Sequence, residues 1–470
     1  MSIDIWLLIL FVVGVTLFLI LERKKLIREG PLFLYKTKIG LNIIETIAKK
    51  YKKTIKFLCY LSVGLGYIMM AVFTSFFLYS MVKSIYLYFI HPRVIEIISA
   101  PPLMLLIPYF PKIFGVEEFF PAFPFMYFII AIAIVAIVHE GAHGIVARYH
   151  GVKIKSTGFG FLGPILAFFV EQDDKQMQKS KIFPQLAILS AGVFANIGTM
   201  IVFLIILISF FHVSYIPAGV EFNSYSYATI PEGSIQDLKA TSEIILVGQE
   251  NFTKILIENK SYFIKSIILE QNLLNRNINY SVNVYYDLPA IKNELRGVIV
   301  EMNGHPIKNL EDYKTEINKY ASGEKIEITT NYQGNIENKQ IVLNNPYNIS
   351  GNYLGIMVGN SDSMNFFRMF EFFKEKGTYY ESKYNPILAN YIYYLLGWIV
   401  LINLLVALFN ILPVGIFDGG RFFYLTILKI SGKKKTAELG SKIATKIFLA
   451  LILLIFIAWG YAKIRARIGF

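Results

Sequence analysis

The chain has 470 residues, of which 55% are hydrophobic and only 17% charged, and its mean hydropathy is +0.50. That balance excludes a disordered chain, an ordinary soluble enzyme and a nucleic-acid-binding protein, although the net charge is +13. The basic residues flank apolar blocks, as in proteins that hold their cytoplasmic side by charge. The single cysteine, Cys59, rules out an intrachain disulfide or a thiolate cluster, so any metal site has to use histidines and carboxylates.

Six apolar stretches bounded by charges predict six transmembrane helices, since a hydrocarbon core of ~30 Å takes about 20 helical residues. The first lies between Asp4 and Glu22. A signal peptide carries its basic charge before the apolar run. Here Arg23, Lys24, Lys25 and Arg28 follow it, so the segment reads as a retained anchor with its N-terminus outside. The second lies between Lys56 and Lys83, and the third follows Glu118 and stays uncharged to Glu140. The fourth falls between Lys181 and Glu221, the fifth between Pro386 and Phe417, and the sixth and shortest between Lys446 and Lys463. Residues Pro101 to Phe110 are too short and proline-rich to span and read as an interfacial or re-entrant piece. The density of Lys and Arg in the links 23–56, 148–181 and 421–446 predicts that these face the cytoplasm. The terminal Lys463-Ile-Arg-Ala-Arg467 then falls outside, against that rule.

From about Val213 to Lys383 the composition shifts to Asn, Lys, Glu, Ile and Tyr, with strand-like alternation as in Lys325–Thr330. This predicts an extracytoplasmic soluble insert between the fourth and fifth spans. Asn-x-Ser/Thr sites at Asn251, Asn259, Asn279 and Asn348 agree with exposure, but an Asn-rich stretch produces them by chance. A strand from Gly297, an Asn303-Gly304 turn, a short strand, a helix and a strand ending at Thr330 resemble the second half of a PDZ domain. That fold's groove takes an extended peptide along a sheet edge, and so implies capture of peptide C-termini. Residues 228–295 read as an insertion that splits it.

The third span ends in His139-Glu140-Gly141-Ala142-His143. Residues i and i+4 share a helix face, so the two imidazoles point together and suit zinc, with Glu140 placed as general base. Ionisable residues inside a membrane segment are costly and by default functional. A catalytic zinc site takes a third protein ligand. Asp418 is the first charge after Lys383, and it closes Asn410-Ile-Leu-Pro413-Val-Gly-Ile-Phe-Asp418-Gly419 at the same end of the membrane as the histidines. Pro413 breaks the helix there, and irregular backbone at membrane depth belongs where protein or a water cavity surrounds it. Gly192 and Asn196, four apart on the fourth span, read either as helix packing or, for Asn196, as a hydrogen bond to substrate or oxyanion. Asn410 reads as a substrate contact or as a cap for backbone freed by Pro413.

Together these motifs resemble the site-2 protease family of intramembrane zinc metalloproteases. The family pattern is HExxH on one membrane helix, Gly-x-x-x-Asn on the next and Asn-x-x-Pro-x(4)-Asp-Gly on a later one. This chain offers His139 to His143, Gly192 to Asn196 and Asn410 to Gly419. The stretch Gly158–Gly163 with Ala167–Glu171 is similar to the family's membrane-associated strands. Ala142 departs from the glycine usual before the second histidine.

The expected protein is therefore an α-helical polytopic membrane protein with an α+β PDZ-like insert. Residues 1–121 would form two helices and their linkers, 122–213 the first half of the protease core, 214–384 the insert, and 385–470 the second half with the last helix. The resemblance implies one Zn2+ on His139, His143 and Asp418, Glu140 as catalytic base, and structural roles for Gly192, Pro413 and Gly419. Its substrates would be single-pass membrane proteins, met in the lipid of a prokaryotic cell membrane with the active site toward the cytoplasm. The alternative is an inactive scaffold binding peptides through the insert. A transporter would need paired repeats of broken helices, and no internal repeat is visible.

Overall fold

The computed structural model describes residues 3–30, 32–91, 101–104, 106–117, 120–162, 165–231, 239–247, 250–257, 260–268, 281–347, 354–358 and 372–468. Gly163 and the sites Asn259, Asn279 and Asn348 lie outside them. The chain divides into two compact units, Met1–Phe210 with Tyr391–Phe470, and Phe211–Asn390. Among the described residues six helices are long and apolar enough to cross a membrane.

The first unit opens with the apolar helix α1 (Ile3–Leu21), a hairpin of β1 (Leu26–Glu29) and β2 (Leu32–Thr37), and the amphipathic helix α2 (Leu41–Lys50). This segment was expected to be a basic loop. Its strands escape a local reading because β2 pairs with a strand far along the chain, Tyr35 opposite Phe159. Helix α3 (Lys52–Ile90) has 39 residues, about 58 Å at 1.5 Å per residue, nearly twice the ~30 Å hydrocarbon core. The stretch 101–110 forms no spanning helix among the described residues, and a short α4 (Phe110–Phe114) follows it. Next come α5 (Phe125–Tyr149), β3 (Ile154–Leu162), β4 (Ile165–Gln172), α6 (Asp174–Lys179) and α7 (Ile182–Ser214). The four strands form one antiparallel sheet in the order β1-β2-β3-β4, so β4 is an edge. Across that sheet Glu171 receives Lys36 at 2.8 Å and the Ser156 hydroxyl at 2.5 Å. Burial alone would raise the Glu171 pKa; these two partners outweigh it and hold the carboxyl below its usual range.

The second unit is rich in strands. A five-stranded sheet takes β6 (Tyr227–Pro231), β7 (Lys239–Val247), β8 (Glu250–Ile257), β9 (Lys260–Lys265) and β10 (Ser281–Tyr286), around a core that includes Ile255, Ile264 and Val284. Asn251 lies exposed on β8. A seven-stranded sheet takes β5 (Tyr215–Tyr225), β11 (Val298–Met302), β12 (His305–Pro306), β13 (Lys325–Tyr332), β14 (Asn335–Val342), β15 (Ile356–Val358) and β16 (Thr378–Ser382). It packs with α8 (Pro289–Lys292) and α9 (Leu310–Ile317) around Ile291, Ile299, Met302 and Ile328. Asn303 and Gly304 both have positive φ, 46° and 78°, which suits the tight turn between β11 and β12.

The chain then returns to the first unit as α10 (Pro386–Asn410), α11 (Asp418–Ser431) and α12 (Lys434–Ile468). Helix α11 and the start of α12 replace the basic loop expected at 421–446. The middle of α10 is enclosed: Trp398 to Ile402 are 0–2% exposed, and the Trp398 ring lies 4.0 Å from that of Phe123. Around the site, Cys59 and Val63 of α3, Val146 of α5, Leu186 and Ile188 of α7, Ile411, and Phe422 of α11 form one core.

Candidate active site

Three membrane helices and one turn bring the site together. His139 and His143 lie one helical turn apart on α5, both buried, with rings 4.7 Å apart and nearly perpendicular. Opposite them the chain leaves α10 at Asn410, turns through Pro413, and enters α11 at Asp418. The turn closes on itself: Val414 N–H donates to the Leu412 carbonyl at 2.7 Å and Phe417 N–H to that of Val414 at 2.9 Å. A methyl group at Gly419 would overlap the carbonyls of Ile411 and Leu412, so this turn folds only with glycine there.

Asp418 Oδ2 is 3.2 Å from His139 Nε2 and 3.1 Å from His143 Nε2, and the two nitrogens are 3.1 Å apart. Tetrahedral zinc with bonds of ~2.0–2.1 Å separates its ligand atoms by about 3.3 Å, so this near-equilateral triangle fits it. It is the one such group of His, Cys, Asp and Glu among the described residues.

Each imidazole is also held from behind. His143 Nδ1–H donates to the Ile188 carbonyl at 2.6 Å, which leaves its Nε2 lone pair for a metal. The Asn196 amide sits 3.0 Å from His139 Nδ1, fully buried, with its oxygen unpartnered. The two ends of an amide exchange by a half-turn. With Oδ1 toward the ring, Asn196 accepts from Nδ1–H and frees Nε2 of His139 in the same way. Gly192, one turn before Asn196, supplies room: a methyl group there would overlap His143 Nε2 and lie 2.7 Å from His139 Nε2. The residues present thus fit a zinc ion by donor type, spacing, tautomer and free space.

Glu140 is half-buried beside this triangle, and its Oε2 accepts the backbone N–H of Val170 on β4 at 3.2 Å. Val170 is paired in register with Thr157, yet its N–H points off the sheet toward Glu140. The strand edge therefore faces the candidate base, a relation that no side-chain pattern encodes. Asn196 lies behind His139, its amide against the ring nitrogen Nδ1. Asn410 is half-buried at the end of α10 and makes no side-chain hydrogen bond among the described residues. Pro413 lies buried in the turn. The remaining histidines stay apart from the group: His150 faces Cys59 Sγ at 3.8 Å, and His305 is exposed beside Glu316.

Residues 127–455, most of the chain, match peptidase family M50. An uncharacterized protein of Methanocaldococcus jannaschii is 25% identical over 416 residues, which cover 88% of this chain and 82% of that protein.

Proposed function

The chain belongs to peptidase family M50, the site-2 protease family of membrane metalloproteases, and we propose that it hydrolyses peptide bonds within or near the transmembrane segments of single-pass membrane proteins, the chemistry of regulated intramembrane proteolysis. The observation that carries the reading is the triangle of His139, His143 and Asp418, with Glu140 beside it on the same helix. A zinc ion held by these three would supply Lewis acidity to a water molecule and to a scissile carbonyl.

The chain's own residues do the rest. Glu140 takes the proton from the attacking water and delivers it to the leaving amine. Ile188 and Asn196 fix the imidazole tautomers. The edge of β4 offers outward-facing backbone groups at Val170 and, by the alternation of an antiparallel ladder, at Phe168. A helical substrate hides its peptide bonds, so it has to unwind locally. The unwound stretch can add to β4 as a further strand, which brings its backbone to Glu140.

The test uses purified full-length protein and a synthetic library of transmembrane peptides, with products read by mass spectrometry. Glu140→Gln should lower cleavage by about 10²–10⁴-fold, the usual scale of a general base, and keep its zinc. Asp418→Ala should lose both activity and metal. Equal zinc loss in the two variants would make Glu140 a ligand and overturn the assignment.

A further inference from the structure

Strand β4 ends the four-stranded sheet as an edge, and at Val170 that edge is not bare. In an antiparallel ladder the backbone groups of alternate residues point away from the partner strand. Phe168 and Val170, opposite Phe159 and Thr157, are such residues on β4. An open edge invites a further strand, and proteins cover such edges. The cover at Val170 is the carboxylate of the candidate base: Glu140 Oε2 accepts the Val170 N–H at 3.2 Å.

Of the two partners, the side chain is the one free to yield. Val170 is 7% exposed and sits where α2 and α5 converge: a methyl group added at Gly144 would lie 3.1 Å from Val170 Cγ1 and 3.0 Å from Ile44 Cδ1. The next residue, Glu171, points to the other face of the sheet, where Lys36 at 2.8 Å and the Ser156 hydroxyl at 2.5 Å hold it. The strand is thus pinned from both faces. Helix α5 is pinned as well, by the Ile188 carbonyl behind His143 and by the Arg148–Glu45 ion pair at 2.6 Å. What is left to move is the half-buried side chain of Glu140, by rotation about its own bonds. A linear hydrogen bond pairs one N–H with one acceptor. A peptide that adds to β4 as a strand presents carbonyls to the outward N–H groups. At Val170 such a carbonyl and Glu140 Oε2 claim the same hydrogen.

We propose that the Val170 N–H is a positioning group that Glu140 and the substrate occupy in turn, so that the base is parked on the strand edge until a substrate carbonyl displaces it. The proposal rests on the protease reading and adds an order of events to it. The empty enzyme holds its base by a hydrogen bond. Strand addition exchanges Oε2 for the substrate carbonyl, and the released carboxylate can take the proton of the attacking water. A peptide that stays helical keeps its carbonyls bonded within its own helix, so it leaves the base parked. Selection of unwound segments is then built into the base itself.

The test compares two zinc-loaded variants that both lack the base, so that peptide binding is read without turnover. Glu140→Gln keeps an acceptor oxygen for Val170, and Glu140→Ala removes it. An uncharged transmembrane peptide with a helix-weakening centre should bind Glu140→Ala about tenfold more tightly, the scale of one hydrogen bond. Adding Val170→Pro deletes the N–H at an outward-facing edge position, where proline is tolerated, and should abolish that difference. If the proline variant does not fold, the same loss is read from the peptide, with single esters in place of backbone amides. The ester whose weakened carbonyl meets Val170 should erase the gain, and esters elsewhere should keep it. Equal affinity of the Gln and Ala variants would overturn the exchange and leave the protease standing. Weaker binding to Glu140→Ala would make Glu140 a direct substrate contact and overturn the exchange as well. Tighter binding to Glu140→Ala, with no cleavage of the same peptide by the intact zinc-loaded protein, would keep the exchange and overturn the protease.

Discussion

At Gly192 the difference between a hydrogen atom and a methyl group decides whether two imidazoles can converge on one ion. A methyl group would overlap His143 Nε2 and lie 2.6 Å from His139 Cε1. Those rings cannot retreat, because Ile188 and Asn196 hold them from behind. Gly192→Ala should therefore weaken zinc binding by at least the 10–100-fold typical of lost support to a metal ligand, measured by competition with a chelator. Gly198 on the same helix has nothing within 4 Å of an added methyl group, so Gly198→Ala is the matched control and should keep its zinc. Equal metal affinity in both variants would remove the steric role of Gly192. The spacing of Gly192 and Asn196 was legible in the sequence, but its meaning was not. Four residues apart on a membrane helix suits close packing as well as chemistry, and only the position of His139 separates the two.

The catalytic helix is secured by an element that local sequence does not connect to it. Helix α5 begins after Pro124, which offers no capping side chain. Asp4 of α1 serves instead, accepting the N–H groups of Phe125 at 2.8 Å and Met126 at 3.0 Å and the hydroxyl of Tyr109. A carboxylate at a helix N-terminus satisfies orphan donors and complements the macrodipole. Asp4→Ala should lower stability by about 1–2 kcal/mol, read as an earlier thermal transition in detergent, with zinc content unchanged. Unshifted melting would reduce Asp4 to a bystander. The sequence showed Asp4 only as a charge flanking an apolar run. Long apolar runs, HExxH and the Asp418 turn are legible because each is written in consecutive residues. The β1–β2 hairpin, the packing of α2 and the Asp4 cap are not, because their partners lie up to 120 residues or more away, as with Asp4 and Phe125. The basic stretches around 23–56 and 421–446 read as loops because charge masks the amphipathic period of α2 and α11.

For the whole molecule, the insert enters and leaves through one pair of strands. Tyr215 of β5 lies opposite Ser382 of β16, and Lys383 N–H donates to the Ser214 carbonyl at 2.8 Å. With its ends this close and cores of its own around Ile299 and Ile255, residues 215–382 are separable in principle by a short linker. The distribution of Lys and Arg predicts that this insert faces outside and the links around the active site face the cytoplasm. Single cysteines at the exposed positions Ser322 and Lys435, with Cys59 replaced, test that in intact cells with an impermeant thiol reagent. Position 322 should label and position 435 should not; the opposite pattern inverts the orientation. An insert on the outer face meets a substrate's ectodomain first. Its strand, Asn-Gly turn, strand, helix and strand follow the order expected for half of a PDZ domain, and exposed sheet edges suit capture of a newly cut C-terminus. If the insert excludes substrates by size, replacing it with a short linker should speed cleavage of a substrate with its full ectodomain relative to the intact enzyme. The trimmed form of the same substrate should be cut at an unchanged rate, which shows that the membrane unit still folds. A deletion variant that cuts the trimmed form normally and still refuses the full-length one would end the gating idea and place size selection within the membrane unit itself.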